Sequence, residues 1–327
     1  MALSKPQLKE LVRRVVVAQG NSFIKELLRN SGAKIGTTKE DFANNLDDAI
    51  DEESITQGAL EAWLAEVEGW GDQHLYLFQP PDIDAAALAN GIAASAHVDV
   101  LGSSASLDFP EGLELKHIGL GDAGLSMEWH QSKEGWNRWK LKDFIEVEAL
   151  ERYRFEAYRQ RFDRSVVRYE WRFGDGYCAI LIHRNPEIDH GAVLTDIHAV
   201  LVAIGCPNVP FVRIQLNQAV KVAARDDRGV HSTRFELDSG YVEMASTLAE
   251  GGIESVEAVR GVLRAVDATQ FDRAQGMLHF VAEEHGTSRR VAVQVYGSEG
   301  RLRIWAQCKR EDVFKIVELL WGYNNEA

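Results

Sequence analysis

Cysteine is scarce in this chain. Cys178, Cys206 and Cys308 are the three in 327 residues, far apart and odd in number, and none forms a CxxC pair. That argues against a disulfide framework and against a thiolate zinc site, and a reducing compartment is expected. Long apolar runs are missing as well. The N-terminal MALSKPQLKELVRRVVVAQG holds only the short run Val15 to Ala18, with Arg13 and Arg14 just upstream. A secretory leader needs a longer uncharged stretch, and no segment reaches membrane-spanning length. No membrane association is expected, and the expected location is cytoplasmic, or nuclear in a eukaryote. Positive charge is in short supply: 36 basic residues face 50 acidic ones, a formal charge of -14. This argues against a whole surface that envelops nucleic acid or a membrane, so charge has to be read segment by segment.

Catalytic signatures are also missing. There is no GxxxxGK[ST] phosphate loop and no GxSxG elbow. Gly119-Leu-Gly121-Asp-Ala-Gly124 matches GxGxxG, but a dinucleotide fingerprint needs a helix to follow, and LSMEWHQS alternates like a strand. A hairpin turn that uses glycine's access to positive φ is expected there. Two loose clusters, Asp189, His190, Asp196 and His198, and His279, Glu283, Glu284 and His285, lack the fixed offsets by which ligands converge on one ion. No metal, no cofactor and no catalytic residue is therefore assigned. Nine carboxylates and no Lys or Arg fall between Asp41 and Glu68, and solvated helix faces account for them.

With 45% apolar and 26% charged residues, the chain has an ordinary globular composition, and its length suits two or three domains. Residues 1–70 read as helices. Ser4 with Gln7 forms a capping box; Leu8, Leu11, Val12 and Val15 share one face; Phe23, Ile24, Leu27 and Leu28 mark a second helix. Thr38 caps a third with Phe42, Leu46, Ala49 and Ile50 inward, and Leu60, Trp63, Leu64 and Val67 mark a fourth. From Leu113 the pattern turns to β alternation, with Gly174-Asp175-Gly176 as a hairpin turn and a helix near Ala192 to Ile204. The last hundred residues give a hairpin turning at Asp238-Ser239-Gly240, a helix, three strands and a closing helix from Arg310. The expected fold is α+β: an all-helical domain over 1–70, then two α+β units over 71–228 and 229–327 with helices on antiparallel sheets. VVRYEWRFGDGYCAILIHR and VAVQVYGSEGRLRIWAQCKR, each followed by a helix, are an internal echo of one another.

Two charge signals stand out. Residues 1–40 hold eight basic and three acidic residues, Lys25, Arg29, Lys34 and Lys39 among them. Within this stretch, FIKELLRNSGAKIGTTKEDFANNLDDAI resembles the SAP motif, a helix-extended-helix unit associated with DNA binding. The resemblance covers residues 22–50, and implies that Lys34 and Lys39 would contact phosphate. Its second helix departs from that family in being strongly acidic. The second signal is the stretch 152–172, with seven arginines against three acids. Alternation puts Val167, Tyr169, Trp171 and Phe173 on one face of a strand and Arg168, Glu170 and Arg172 on the other. If that strand pairs with the one carrying Arg152 and Arg154, an arginine ladder results, suited to the bidentate geometry of phosphate. Cross-strand pairing of those arginines with Glu156 and Glu170 is the competing expectation.

The expected function is a non-enzymatic nucleic-acid-associated or complex-scaffolding protein, contacting DNA in preference to RNA. The expected contacts are Lys25, Arg29, Lys34, Lys39, Arg152, Arg154, Arg168 and Arg172. A protein partner is expected as well. The alternatives are a pure protein-interaction subunit of a larger assembly and an enzyme with a site built from distant residues.

Overall fold

The computed structural model describes residues 3–103, 109–148, 151–183, 188–206, 212–225, 230–237, 240–245, 253–268 and 273–326. The protein is mixed α+β, and its chain forms two compact units. Unit 1 comprises residues 1–61, 105–114 and 129–165; unit 2 comprises residues 62–104, 115–128 and 166–327.

Unit 1 begins with α1 (Lys5–Leu11), where the Ser4 amide donates to Gln7 Oε1 at 2.9 Å, as the capping box requires. The helix does not simply continue through Val15. It passes into a π-helical turn over Val12–Val16, a rare widening often found at functional sites. Then come α2 (Asn21–Asn30) and α3 (Lys39–Asp51). The Thr38 hydroxyl accepts from the Asp41 amide at 3.1 Å, and the Asp41 carboxylate accepts from the Thr37 and Thr38 amides at 3.0 and 2.9 Å. The expected apolar stripes are the buried ones: Leu8, Leu11, Val12 and Val15; Phe23, Ile24, Leu27 and Leu28; Phe42, Leu46, Ala49 and Ile50. Each large side chain so buried contributes about 1.5–3 kcal/mol. Acidic residues of α3 and of the turn after it have partners within the unit. Lys5 pairs with Glu53 (3.0 Å), Lys9 with Asp51 (2.6 Å) and Arg13 with Asp47 (2.7 Å). Later in the chain, β4 (Phe144–Glu148) and β5 (Glu151–Phe155) form a separate two-stranded sheet, exposed along both strands.

In unit 2, α4 (Gln57–Val67, which starts in unit 1) leads to β1 (Gly71–Phe78) and α5 (Ala85–Ala94). β2 (Glu114–Gly121) and β3 (Gly124–Arg138, which belongs to unit 1 from residue 129) follow, then β6 (Tyr158–Arg172, which belongs to unit 1 up to residue 165), β7 (Cys178–His183), α6 (His190–Ala203) and α7 (Asn217–Arg225). Next are β8 (Val230–Leu237), β9 (Gly240–Ala245), α8 (Glu257–Ala268), β10 (Arg273–Phe280) and α9 (Ala282–His285). β11 (Val291–Tyr296), β12 (Arg301–Gln307) and α10 (Arg310–Asn325) complete the chain. One ten-stranded sheet runs in the order β2-β3-β6-β7-β1-β12-β11-β10-β8-β9. The expected boundary at 228 falls inside this sheet, because β1 pairs with β7 on one side and with β12 on the other. Both hairpins of the internal echo, β6–β7 and β11–β12, thus flank β1 in a single layer. The Asp238-Ser239 turn lies outside the described residues.

Glycine at 119–124 follows the hairpin expectation, since β2 and β3 flank Asp122-Ala123. The reason differs from the one expected, because none of the three glycines has positive φ. At Gly124 the requirement is room, since a Cβ there would lie 2.2 Å from the Trp171 carbonyl oxygen. Among the described residues no helix is long and apolar enough to cross a membrane.

Candidate functional site

The two basic stretches of the sequence meet in unit 1. A cleft of about 870 Å³ is lined by Lys9, Arg13, Arg14 and Lys39 from the N-terminal stretch and by Arg159 and Arg161 from the arginine-rich one. Glu10 and Glu40 are the carboxylates in its lining, and Asn137 and Gln160 add neutral polar groups. Local structure explains the placement. The π-turn carries Arg13 and Arg14, and the cap at Thr38 starts α3 so that Lys39 is its first residue.

These cations are held, not loose. Arg13 bonds Asp47, Asn44 (3.1 Å) and, more distantly, Glu40 (3.5 Å). Burial works against the charge of Arg13, but its bonds to Asp47 and the nearby Glu40 outweigh this and raise its pKa. Arg14 pairs with Glu10 at 2.7 Å. Arg159 lies 3.6 Å from Glu40 and over the Trp139 ring; Arg161 pairs with Asp163. Lys39 differs. Its ammonium donates to the Gln19 carbonyl, it has no carboxylate partner among the described residues, and burial lowers its pKa. An anionic ligand oxygen in the cleft would supply the counter-charge that Lys39 lacks. Glu40, shared by Arg13 and Arg159, is the group such a ligand would displace.

The expected contact residues are scattered. Lys39 lines the cleft, while Lys25, Arg29 and Lys34 do not; Lys25 lies over the Phe42 ring at 6.0 Å, and Arg29 and Lys34 are exposed. The conditional arginine ladder does not form, because β5 pairs with β4 and β6 pairs with β7. Arg152 and Arg154 sit opposite Val147 and Ile145 on one face of the exposed hairpin. Arg154 reaches Glu156 at 3.5 Å.

In unit 2, Arg168 is buried, with 6% of its side chain exposed. It pairs with Glu128 at 2.8 Å and lies 4.6 Å over the Trp70 ring. Arg172 pairs with Glu318 at 2.7 Å and stacks on Phe314. Strand alternation implied an open second face here; instead α10 supplies Phe314 and Glu318 to it. Arg13, Arg14, Arg159 and Arg161 were visible only as members of charge-rich stretches. Nothing local in the sequence announced that they converge.

Four members of the two histidine clusters have structural partners. Asp189 caps α6 by accepting from the Gly191 amide at 2.8 Å. His190 Nδ1 is 2.7 Å from the Tyr76 hydroxyl, and burial, aided by Arg301, lowers its pKa. His279 bonds Arg290, and His285 accepts from the Val281 amide.

Comparison with protein-family models, curated proteins and solved structures gives no match.

Proposed function

We propose that the protein is a non-enzymatic nucleic-acid-associated component whose unit 1 cleft receives backbone phosphates. One observation carries this reading: six cations from two distant stretches line one cleft with two carboxylates, in a chain of formal charge -14. Four of the six are arginines, whose planar forks suit phosphate, and Asn137 and Gln160 add hydrogen-bonding groups of the kind that position a backbone. The acidic remainder of the chain would restrict binding to this site and oppose indiscriminate coating of nucleic acid. The SAP-like stretch supplies Lys39. Its other lysines would be peripheral contacts outside the cleft.

The test is fluorescence anisotropy with labelled duplex DNA, single-stranded DNA and RNA, comparing wild type with a Lys39→Ala/Arg159→Ala/Arg161→Ala variant that keeps its circular dichroism and melting temperature. Loss of binding in the folded variant supports the cleft. Unchanged affinity removes it as the site.

A second reading, a subunit of a protein assembly, is favoured by the β4–β5 hairpin. Phe144, Ile145 and Val147 are 56, 67 and 64% exposed, and large apolar side chains open to water on a two-stranded ribbon, flanked by Arg152 and Arg154, are the kind of surface a partner covers. If that reading is right, Ile145→Ser/Val147→Ser abolishes co-purification of the partner and leaves nucleic-acid affinity unchanged.

A further inference from the structure

The central strands of unit 2 have two unlike faces. Register fixes them. Leu75, Leu302 and Val295 align across β1, β12 and β11, as do Ile304, Val293 and Leu278 across β12, β11 and β10. All six are buried in the core that α7 and α10 share. The alternating residues point the other way, in the rows Tyr76–Arg301–Tyr296–Gln275 and His74–Arg303–Gln294–Met277. On this face α6 reaches β1, where His190 bonds Tyr76. From β12 to β10 the same face is only half covered, and Trp305 is 42% exposed.

The chemistry of that open area is aromatic and cationic. Arg301 lies 3.7 Å from the centre of the Tyr296 ring, and Arg303 lies 3.5 Å from that of Trp305. His74 Nδ1, 3.1 Å from Arg301, and Glu299, 2.8 Å from it, orient that guanidinium. Arg303 has no carboxylate partner among the described residues. Aliphatic groups are few, chiefly Met277 and Ala292. A dry protein contact would have to cover two guanidinium groups in exchange for little aliphatic area. A ligand with flat π faces and a negatively charged backbone suits the rings, the amides and the two guanidinium groups, with Glu299 at the edge of the area as an opposing charge.

We propose that this face is a stacking platform for single-stranded nucleic acid. Bases stack on Trp305, on Tyr296 and on the guanidinium planes laid against them. Arg301 and Arg303 also face the phosphates, and the amides of Gln294 and Gln275 meet base edges, being both donors and acceptors. Trp305 lies four residues beyond Arg301, the partner of Tyr296, so the two rings are roughly 13 Å apart along the strand direction. A single strand laid along β12 passes both. A duplex hides its base faces and cannot stack this way. The proposal rests on the reading that the ligand is nucleic acid, but not on the unit 1 cleft.

The experiment is anisotropy at low salt with labelled oligothymidylate and oligouridylate, with unlabelled duplex as competitor. Wild type is compared with Trp305→Ala, Tyr296→Ala and Trp305→Phe, each checked for an unchanged melting temperature. Trp305→Ala is expected to weaken single-strand binding by about 5- to 100-fold, while Trp305→Phe stays within a few-fold of wild type. Wild-type affinity in Trp305→Ala overturns the platform, even if the cleft variant loses binding. Loss in Trp305→Ala with full binding in the cleft variant upholds the platform and removes the cleft. If neither oligonucleotide binds the wild type, the platform fails, and the cleft stands or falls on the duplex measurement. A change of oligomeric state in Trp305→Ala without loss of single-strand affinity also overturns the platform, in favour of a contact between copies.

Discussion

Arg168 and Glu128 form a 2.8 Å ion pair in which the arginine side chain is 6% exposed and its guanidinium lies over Trp70. This geometry makes Arg168 part of the packing of unit 2. Removing one partner of a buried pair leaves the other charge uncompensated. Arg168→Ala should therefore lower the unfolding free energy by about 3 kcal/mol, read from urea denaturation. Arg168→Lys should recover only part of that, because an ammonium cannot reproduce the planar stack on the indole.

Glu170, on the same strand, gives a pH signature. Burial raises its pKa to about 7, against the opposing pull of Arg310 at 3.9 Å. The folded state then holds this proton more tightly than the unfolded chain. Its contribution to stability is greatest below pH 4.5 and falls as pH rises from there to about 7. Glu170→Gln should remove that decline, which amounts to about 3 kcal/mol across the window. The difference between wild-type and variant stability, measured from pH 4 to 8, should be flat if the carboxyl does not titrate there.

Asp41 acts in the opposite direction. Its bonds to the amides of Thr38 and Thr37 pull its pKa down to about 2. The cap is therefore fully formed above pH 4 and is lost as the pH falls towards 2. Thr38→Ala, which removes the reciprocal bond, should cost about 1 kcal/mol at neutral pH. Asp41→Asn should make the melting temperature less dependent on pH between 4 and 2. A cap that is not formed in solution would leave both variants like wild type.

Two glycines of the GxGxxG match differ in the room around them. Gly124→Ala places a methyl against the Trp171 carbonyl and should cost about 1–3 kcal/mol. Nothing lies within 4 Å of a Cβ at Gly121, so Gly121→Ala should be close to neutral. Equal melting temperatures for the two variants would contradict the close approach.

What was legible in the sequence follows from the range of the interactions. Phe42, Leu46, Ala49 and Ile50 could be placed because a 3.6-residue period is local, and the hairpin turn at Gly174 because its positive φ is. Alternation correctly gave strand 166–172 two faces. It could not show that Phe314 and Glu318, nearly 150 residues away, cover the second one. The π-turn at Val12–Val16 leaves no compositional mark, so a plain helix was expected. The cleft was half legible. Both basic stretches were visible as excess charge, but their convergence depends on long-range folding within unit 1. The alternation Arg301, Arg303, Trp305 is in the sequence as well, yet a strand pattern does not say which of its faces stays open.

The most direct test of the central claim is the salt dependence of affinity for duplex DNA, from low to physiological ionic strength, for wild type and for Lys39→Ala/Arg159→Ala/Arg161→Ala. Each phosphate contact contributes about 0.9 to the slope of log K against log salt. If the cleft holds the backbone, the variant's slope is shallower by about 2 to 3. Parallel lines for the two proteins would contradict a phosphate-binding cleft.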